Sequence, residues 1–251
     1  MKKILFISFL IFCNALTAQH ADSLFVKANK LYQIEKYDEA LQLYKEIEKE
    51  NLQSDQLFYN IANANYKLNR IASAIYYYEK SLLLDPNNED AKFNLGFAKR
   101  MALDNIEPLP KNISQKISDG IIQRLSYDVW AWLTVGFSFL FAILFLLYHF
   151  SYSSRSKRFY FVSSSISALL AFITLAFSYN NINYVKTNKY AIIFAVESDV
   201  KSAPTLSSEV SFELHEGTKV LILESLDNWK KIKIANGKTG WMVADDLQEL
   251  Q

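Results

Sequence analysis

Two uncharged apolar runs constrain this chain more than anything else in it. Val129–Phe150 reads VWAWLTVGFSFLFAILFLLYHF and Phe159–Phe177 reads FYFVSSSISALLAFITLAF, and neither contains Asp, Glu, Lys or Arg. Each is close to the ~20 residues that a helix needs to cross a hydrocarbon core of about 30 Å. In lipid only a helix or a closed barrel satisfies its own backbone, and the strict alternation of a barrel strand is absent here. The spans are therefore expected at 129–150 and 159–179, as a two-helix transmembrane hairpin. The break between them, Ser151–Arg158, reads SYSSRSKR and carries Arg155, Lys157 and Arg158 without an acid. Short basic loops stay in the cytoplasm, so 151–158 is expected inside and both long flanks outside. Trp130, Trp132, Tyr148, Tyr160 and Tyr179 lie near the span ends, where amphipathic rings favour the interface.

The N-terminus agrees with that orientation. Lys2 and Lys3, the apolar stretch Ile4–Phe12 and the small-residue segment Ala15-Leu16-Thr17-Ala18 have the layout of a secretory signal over residues 1–18. An uncleaved anchor would leave the same region outside. The single cysteine, Cys13, falls in this segment, so a processed chain has no thiol for disulfides, redox chemistry or metal ligation. A net charge of +1 over 251 residues gives no electrostatic reason to expect a nucleic-acid partner. The 51% hydrophobic content is accounted for by the two spans.

Residues 19–105 repeat internally. Ala28 and Ala62, Ala40 and Ala74, and Tyr44 and Tyr78 each stand one 34-residue period apart; Gly96 continues the first series and Leu95 follows Ile61. Small residues in fixed slots of a 34-residue period resemble the tetratricopeptide repeat. In that arrangement each unit is two antiparallel helices, Ala or Gly sits where the axes approach, and large residues fill the gap to the next unit. The unit from Ile61 to Pro86 fits best. The unit around Ala28–Leu52 lacks the terminal proline, and Glu89–Leu103 is a first helix without a partner, expected to cap the array. By repeat position the concave face carries Phe25, Asn29 and Tyr32, then Tyr59, Asn63 and Tyr66, then Phe93, Phe97 and Arg100. Such an aromatic and amide-rich groove suits a peptide segment or a partner helix. The alternative for each aromatic is packing between repeats. A carboxylate clamp of the kind used by chaperone-binding repeats is rejected. Asn29 and Asn60 match its amides, but its basic positions fall on Phe25, Asp90 and Asn94.

Residues 106–128 form a linker. Pro108 and Pro110 stop the preceding helix, and Ile113, Ile117, Ile121, Ile122 and Leu125 then recur at helical spacing, as in an amphipathic helix lying on a membrane surface or against the array. From Tyr190 the period changes to that of strands. Tyr190–Val196, Thr218–Glu224, Trp229–Ile234 and Gly240–Val243 are β-rich, and Asn236-Gly237 is a strong hairpin turn. Five short strands in residues 180–251 are expected to close into a small barrel. Val200-Lys-Ser-Ala-Pro204, Leu214-His-Glu-Gly217, Trp229 and Gly237-Lys-Thr-Gly-Trp-Met-Val243 resemble the bacterial SH3-like domain. Trp229 and Trp241 are its candidate ligand-stacking groups, with barrel packing as the favoured alternative.

Nothing in the sequence points to catalysis, a metal or a cofactor. His20, His149 and His215 belong to different segments, and no phosphate loop or paired metal-ligand spacing occurs. The fold class expected is multidomain: an all-α tetratricopeptide solenoid, a two-helix membrane hairpin and an all-β SH3-like barrel.

That order of parts, with Trp130-Ala-Trp132-Leu133 opening the first span, resembles the BatE family of the Bacteroides aerotolerance (Bat) operon. The resemblance covers essentially the whole processed chain. It implies a non-enzymatic inner-membrane component with both soluble domains periplasmic. It also implies other Bat membrane proteins with von Willebrand factor A-type domains as partners, together with a MoxR-type ATPase, and a link to oxidative or envelope stress. Two functions stay open: a scaffold that binds a protein through the repeats, and a wall-binding or wall-sensing protein that binds peptidoglycan through the barrel.

Overall fold

The computed structural model describes residues 20–250. The expected signal at residues 1–18 lies outside them. The chain divides into two compact units.

The first unit begins with the helical array. Helix α1 is described over residues 20–33, followed by α2 (Tyr37–Lys49), α3 (Asp55–Lys67), α4 (Ile71–Leu84) and α5 (Glu89–Met101). Local chemistry sets these boundaries. The Ser54 hydroxyl accepts from the Leu57 amide at 3.0 Å and the Asn88 side chain accepts from the Ala91 amide at 2.9 Å, capping α3 and α5. Glu35, Asn51 and Asn69 adopt φ of 62°, 59° and 57°, the left-handed turn that ends a helix. The small-residue slots are where the helices touch: Ala28, Ala40, Ala62 and Ala74 have no exposed surface. Tyr44 and Tyr78 are 1% and 0% exposed, filling the space beside them.

The same unit contains the C-terminal sheet, which has seven strands rather than five: β1 (Lys189–Ile193), β2 (Glu197–Lys201), β3 (Val210–His215), β4 (Lys219–Leu226), β5 (Trp229–Lys233), β6 (Thr239–Val243) and β7 (Leu247–Glu249). Their order is β3-β2-β6-β5-β4-β1-β7. The pairs described by register are antiparallel. The strands that the sequence did not announce by composition are β2, whose ESDVK is mostly polar, β3, and β7, which has three residues. Gly237, at φ 90°, turns β5 into β6 as Asn236-Gly237 requires. The sheet encloses its own core of Ala191, Ile193, Val200, Leu214, Val220, Ile222, Ile232, Ile234 and Met242.

Array and sheet are packed together. Ile192 and Leu250 belong to the array's core cluster, with Tyr190 and Phe194 against it. Strand β1 is therefore covered on both faces: Ala191 and Ile193 point into the sheet's core, and Ile192 points into the array. That explains why Tyr190-Ala-Ile-Ile-Phe194 is a continuous apolar run rather than an alternating one. Tyr76 stacks edge-on against Phe194 at 5.8 Å and its hydroxyl donates to the Glu249 carbonyl at 3.1 Å. Gly217, at φ +87°, brings the β3–β4 turn so close that a Cβ there would stand 3.0 Å from Ile75 Cδ1.

The second unit contains α6 (Ile113–Ile121), a 3-10 turn at Ile122–Arg124, α7 (Tyr127–Phe150) and α8 (Ser154–Thr187). Asn112 and Gln115 form a reciprocal capping box at the start of α6. Helices α7 and α8 are long and apolar enough to cross a membrane. Helix α8 is longer than the apolar run that announces it, because its ends add polar helix-compatible residues on both sides. The face of α8 that meets α7 is polar: Ser164, Ser167, Thr174, Ser178 and Asn181 are buried. Thr134 bonds Thr174 at 2.9 Å, Ser167 donates to the Phe137 carbonyl at 2.9 Å, and Asn181 donates to the Leu125 carbonyl at 2.8 Å. Apolar side chains fill the opposite faces. This is how helices associate where the surroundings are as apolar as leucine.

Candidate functional site

The first helix of each repeat, α1, α3 and α5, presents the residues of the expected groove, but the structure gives them unequal roles. Asn29 accepts from the Tyr44 hydroxyl at 2.6 Å and from Asn60 at 3.0 Å. One period later Asn63 accepts from the Tyr78 hydroxyl at 2.5 Å and from Asn94 at 3.0 Å. Asn94 also donates to the Tyr59 hydroxyl at 3.1 Å. The groove amides are thus tied into a ladder that joins each repeat to the next. Burial raises the Tyr44 hydroxyl to about 12 and pushes that of Tyr78 up as well, so both stay protonated donors. Asn29 and Asn60, the two residues of the rejected carboxylate clamp, are spent on each other.

The aromatics differ as well. Phe25 lies 5.8 Å from Tyr44, Tyr32 lies 5.1 Å from Tyr37 and Tyr59 lies 6.1 Å from Tyr78, so these rings are half-buried in the array. Tyr66 is half-buried against the same core. Phe93 and Phe97 stand out, 67% and 39% exposed, as an edge-to-face pair with centroids 4.8 Å apart. The Arg100 guanidinium lies 4.4 Å from the Phe97 centroid. All three sit on α5, which has no partner helix following it. Two exposed phenyl rings and a cation one turn on can take an apolar side chain and a neighbouring carboxylate.

On the sheet, the alternation of β6 decides the tryptophans. Gly240 and Met242 are buried, so Trp241 faces outward and is only half-covered. Across the strands it pairs with Lys231 on β5 and Lys201 on β2, and the Lys231 ammonium lies 5.7 Å from its ring. Trp229, at the start of β5, shares that outward face. Met242 rather than Trp241 fills the core position of β6. Sequence reasoning missed Lys201 and Lys231 as its neighbours, although the i, i+2 spacing of Trp229 and Lys231 announced one of them.

Among the described residues no group of three His, Cys, Asp or Glu side chains is placed to hold a metal.

Comparison with known families divides the chain along the same lines as this geometry. A tetratricopeptide repeat is matched at residues 56–88 and a bacterial SH3 domain at residues 197–248. The chain thus combines a tetratricopeptide repeat with a bacterial SH3 domain, and both are of kinds that typically bind rather than catalyse. No curated protein matches the chain.

Proposed function

We propose that this chain is a non-enzymatic scaffold of a bacterial inner membrane, with α7 and α8 as its two spans, the basic segment 151–158 in the cytoplasm, its residues 154–158 forming the first turn of α8 rather than a loop, and the array and sheet in the periplasm. The array binds a protein partner along the groove of Phe25, Asn29, Tyr32, Tyr59, Asn63, Tyr66, Phe93, Phe97 and Arg100, and its exposed end on α5 makes the first contact. The observation that carries this reading is the Phe93–Phe97 pair with Arg100. Exposed aromatics beside an arginine are uncommon on a surface that binds nothing and frequent at interface hot spots. The resemblance in domain order makes the partners Bat-type membrane proteins with von Willebrand factor A-type domains, in an aerotolerance or envelope-stress complex. The test is crosslinking in intact cells. Phe93→Ala with Phe97→Ala is expected to lower partner capture at least about tenfold, as losses above 1.4 kcal/mol at a hot spot do. Unchanged capture sinks the groove as the binding site.

A second reading has its own observation. The outward Trp241 between Lys201 and Lys231 is a stacking surface edged with charge, which suits the sugars and carboxylates of peptidoglycan. Sedimentation of the full-length protein with purified peptidoglycan, with and without Trp241→Ala, separates the two. Retention that depends on Trp241 makes the sheet a wall-binding module; no retention leaves the array as the binding element.

A further inference from the structure

The seam between array and sheet is held by two carboxylates that the proposed groove does not use. Glu79 on α4 is buried and receives Lys99 from α5 at 2.7 Å and Lys219 from β4 at 2.6 Å. Asp104, just beyond α5, is nearly buried and takes three contacts from the β3–β4 turn: the His215 backbone N–H at 2.8 Å, the His215 ring Nδ1 at 2.8 Å and the Thr218 hydroxyl at 2.6 Å. The charged groups acting on the His215 ring are Asp104 across the seam, Glu197 directly opposite on β2, and Glu213 two residues back on its own strand. The seam's cations, Lys99 and Lys219, are turned onto Glu79.

We infer that the seam is a proton-dependent latch: the sheet stays docked on the array while His215 carries its proton, and loosens when that proton leaves. Protonated, the ring makes a charge-assisted bond to Asp104. Neutral, the ring still has an Nδ1–H to donate, but the bond loses its charge assistance and the Asp104 carboxylate loses its cationic partner. The hydrogen bond to Asp104 leads the causes that hold the His215 pKa above its ordinary value. Asp104 is held below the usual carboxylate value: burial would raise it, and the bonds from Thr218 and His215 overcome that. The sign follows. The histidine's contribution is complete below the ordinary histidine pKa of about 6.5 and is lost as pH rises through the raised value. Asp104 lies three residues beyond the end of the helix that bears Phe93, Phe97 and Arg100, so the seam adjoins the last helix of the proposed groove.

The test uses the full-length protein in detergent, with Cys13→Ser and spin labels at Ile34 on the array and Leu206 on the sheet, both exposed. Pulsed dipolar spectroscopy at about pH 5.5 and about pH 8.5 brackets the histidine range. The expected result is one narrow distance at the lower pH and a broad second population, several-fold larger, at the higher. His215→Gln is expected to give the same distribution at both pH values, and Asp104→Asn the second population at both. A wild-type distribution unchanged over this range overturns the latch. So does a pH response retained in His215→Gln, or a narrow distance retained in Asp104→Asn. No partner is present, so failure here leaves the groove untouched.

Discussion

Single side chains in the array do two jobs that look alike from their chemistry. Asn63 and Arg100 both fall at expected groove positions, yet Asn63 is consumed by Tyr78 and Asn94 while Arg100 is exposed. Tyr78→Phe is therefore expected to destabilise the array by about 1 kcal/mol, since it removes one hydrogen bond and keeps the ring; thermal unfolding of the full-length protein measures it. On the sheet the contrast is between neighbours. Met242→Ala opens a cavity in the core and should cost about 2–5 kcal/mol, whereas the outward Trp241→Ala should cost clearly less; the same unfolding assay ranks them. Glu79 adds a pH dependence. Burial would raise its pKa, but Lys219 and Lys99 bring it down to about 2. A carboxyl depressed on folding stabilises above its ordinary value and loses that contribution as pH falls towards 2. Glu79→Gln should flatten the acid limb of a stability-versus-pH curve, and an unaltered limb would place acid sensitivity elsewhere.

Elements behave according to how many faces they bury. Strand β1 is covered on both sides, α8 buries a polar stripe, and α5 buries one face and leaves Phe93 and Phe97 bare. The β3–β4 turn depends on Gly217, where both the positive φ and the neighbouring Ile75 and Ala102 exclude a side chain. Gly217→Ala should weaken the seam by about 1–3 kcal/mol while leaving the sheet's own core intact. Amide exchange would show faster exchange at Gly217 and Leu250 than at Ile232. In the hairpin, Thr134 and Thr174 bond across the helices. Substituting each by Val, singly and together, should give a coupling of only about 0.6 kcal/mol, typical of polar pairs between membrane helices. A double-mutant cycle in detergent measures it, and a value several times larger would mean the polar stripe does more than pack.

At the scale of the whole chain, the array and the sheet share a core although 81 residues, Leu109–Lys189, separate them in sequence. They are expected to unfold in one transition, since Ile192, Phe194 and Leu250 complete the array's core while Ile75, Ala102 and Asp104 brace the β3–β4 turn. Two resolved calorimetric transitions in the wild type, unaffected by Asp104→Asn, would show that the shared core does not couple them.

Much of this was legible in residue order. The 34-residue spacing of Ala28, Ala40 and Tyr44 with Ala62, Ala74 and Tyr78 announced the helical repeat, because close helix packing admits only small residues at the crossing points. The uncharged runs announced α7 and α8, and Asn236-Gly237 announced a hairpin, because backbone satisfaction and positive φ are local demands. Local signals stopped at contacts between distant segments. Nothing near Asn63 shows that Tyr78 claims it, and nothing near Trp241 shows that Met242 takes the inward place, until the register of β5 and β6 is set. The pairing of Asp104 with His215 and of Glu79 with Lys219 lies further still beyond sequence. These bonds exist because the chain returns after the hairpin and lays β1 on α4. Which polar groups then lose water, and so must find partners, is decided only by that packing.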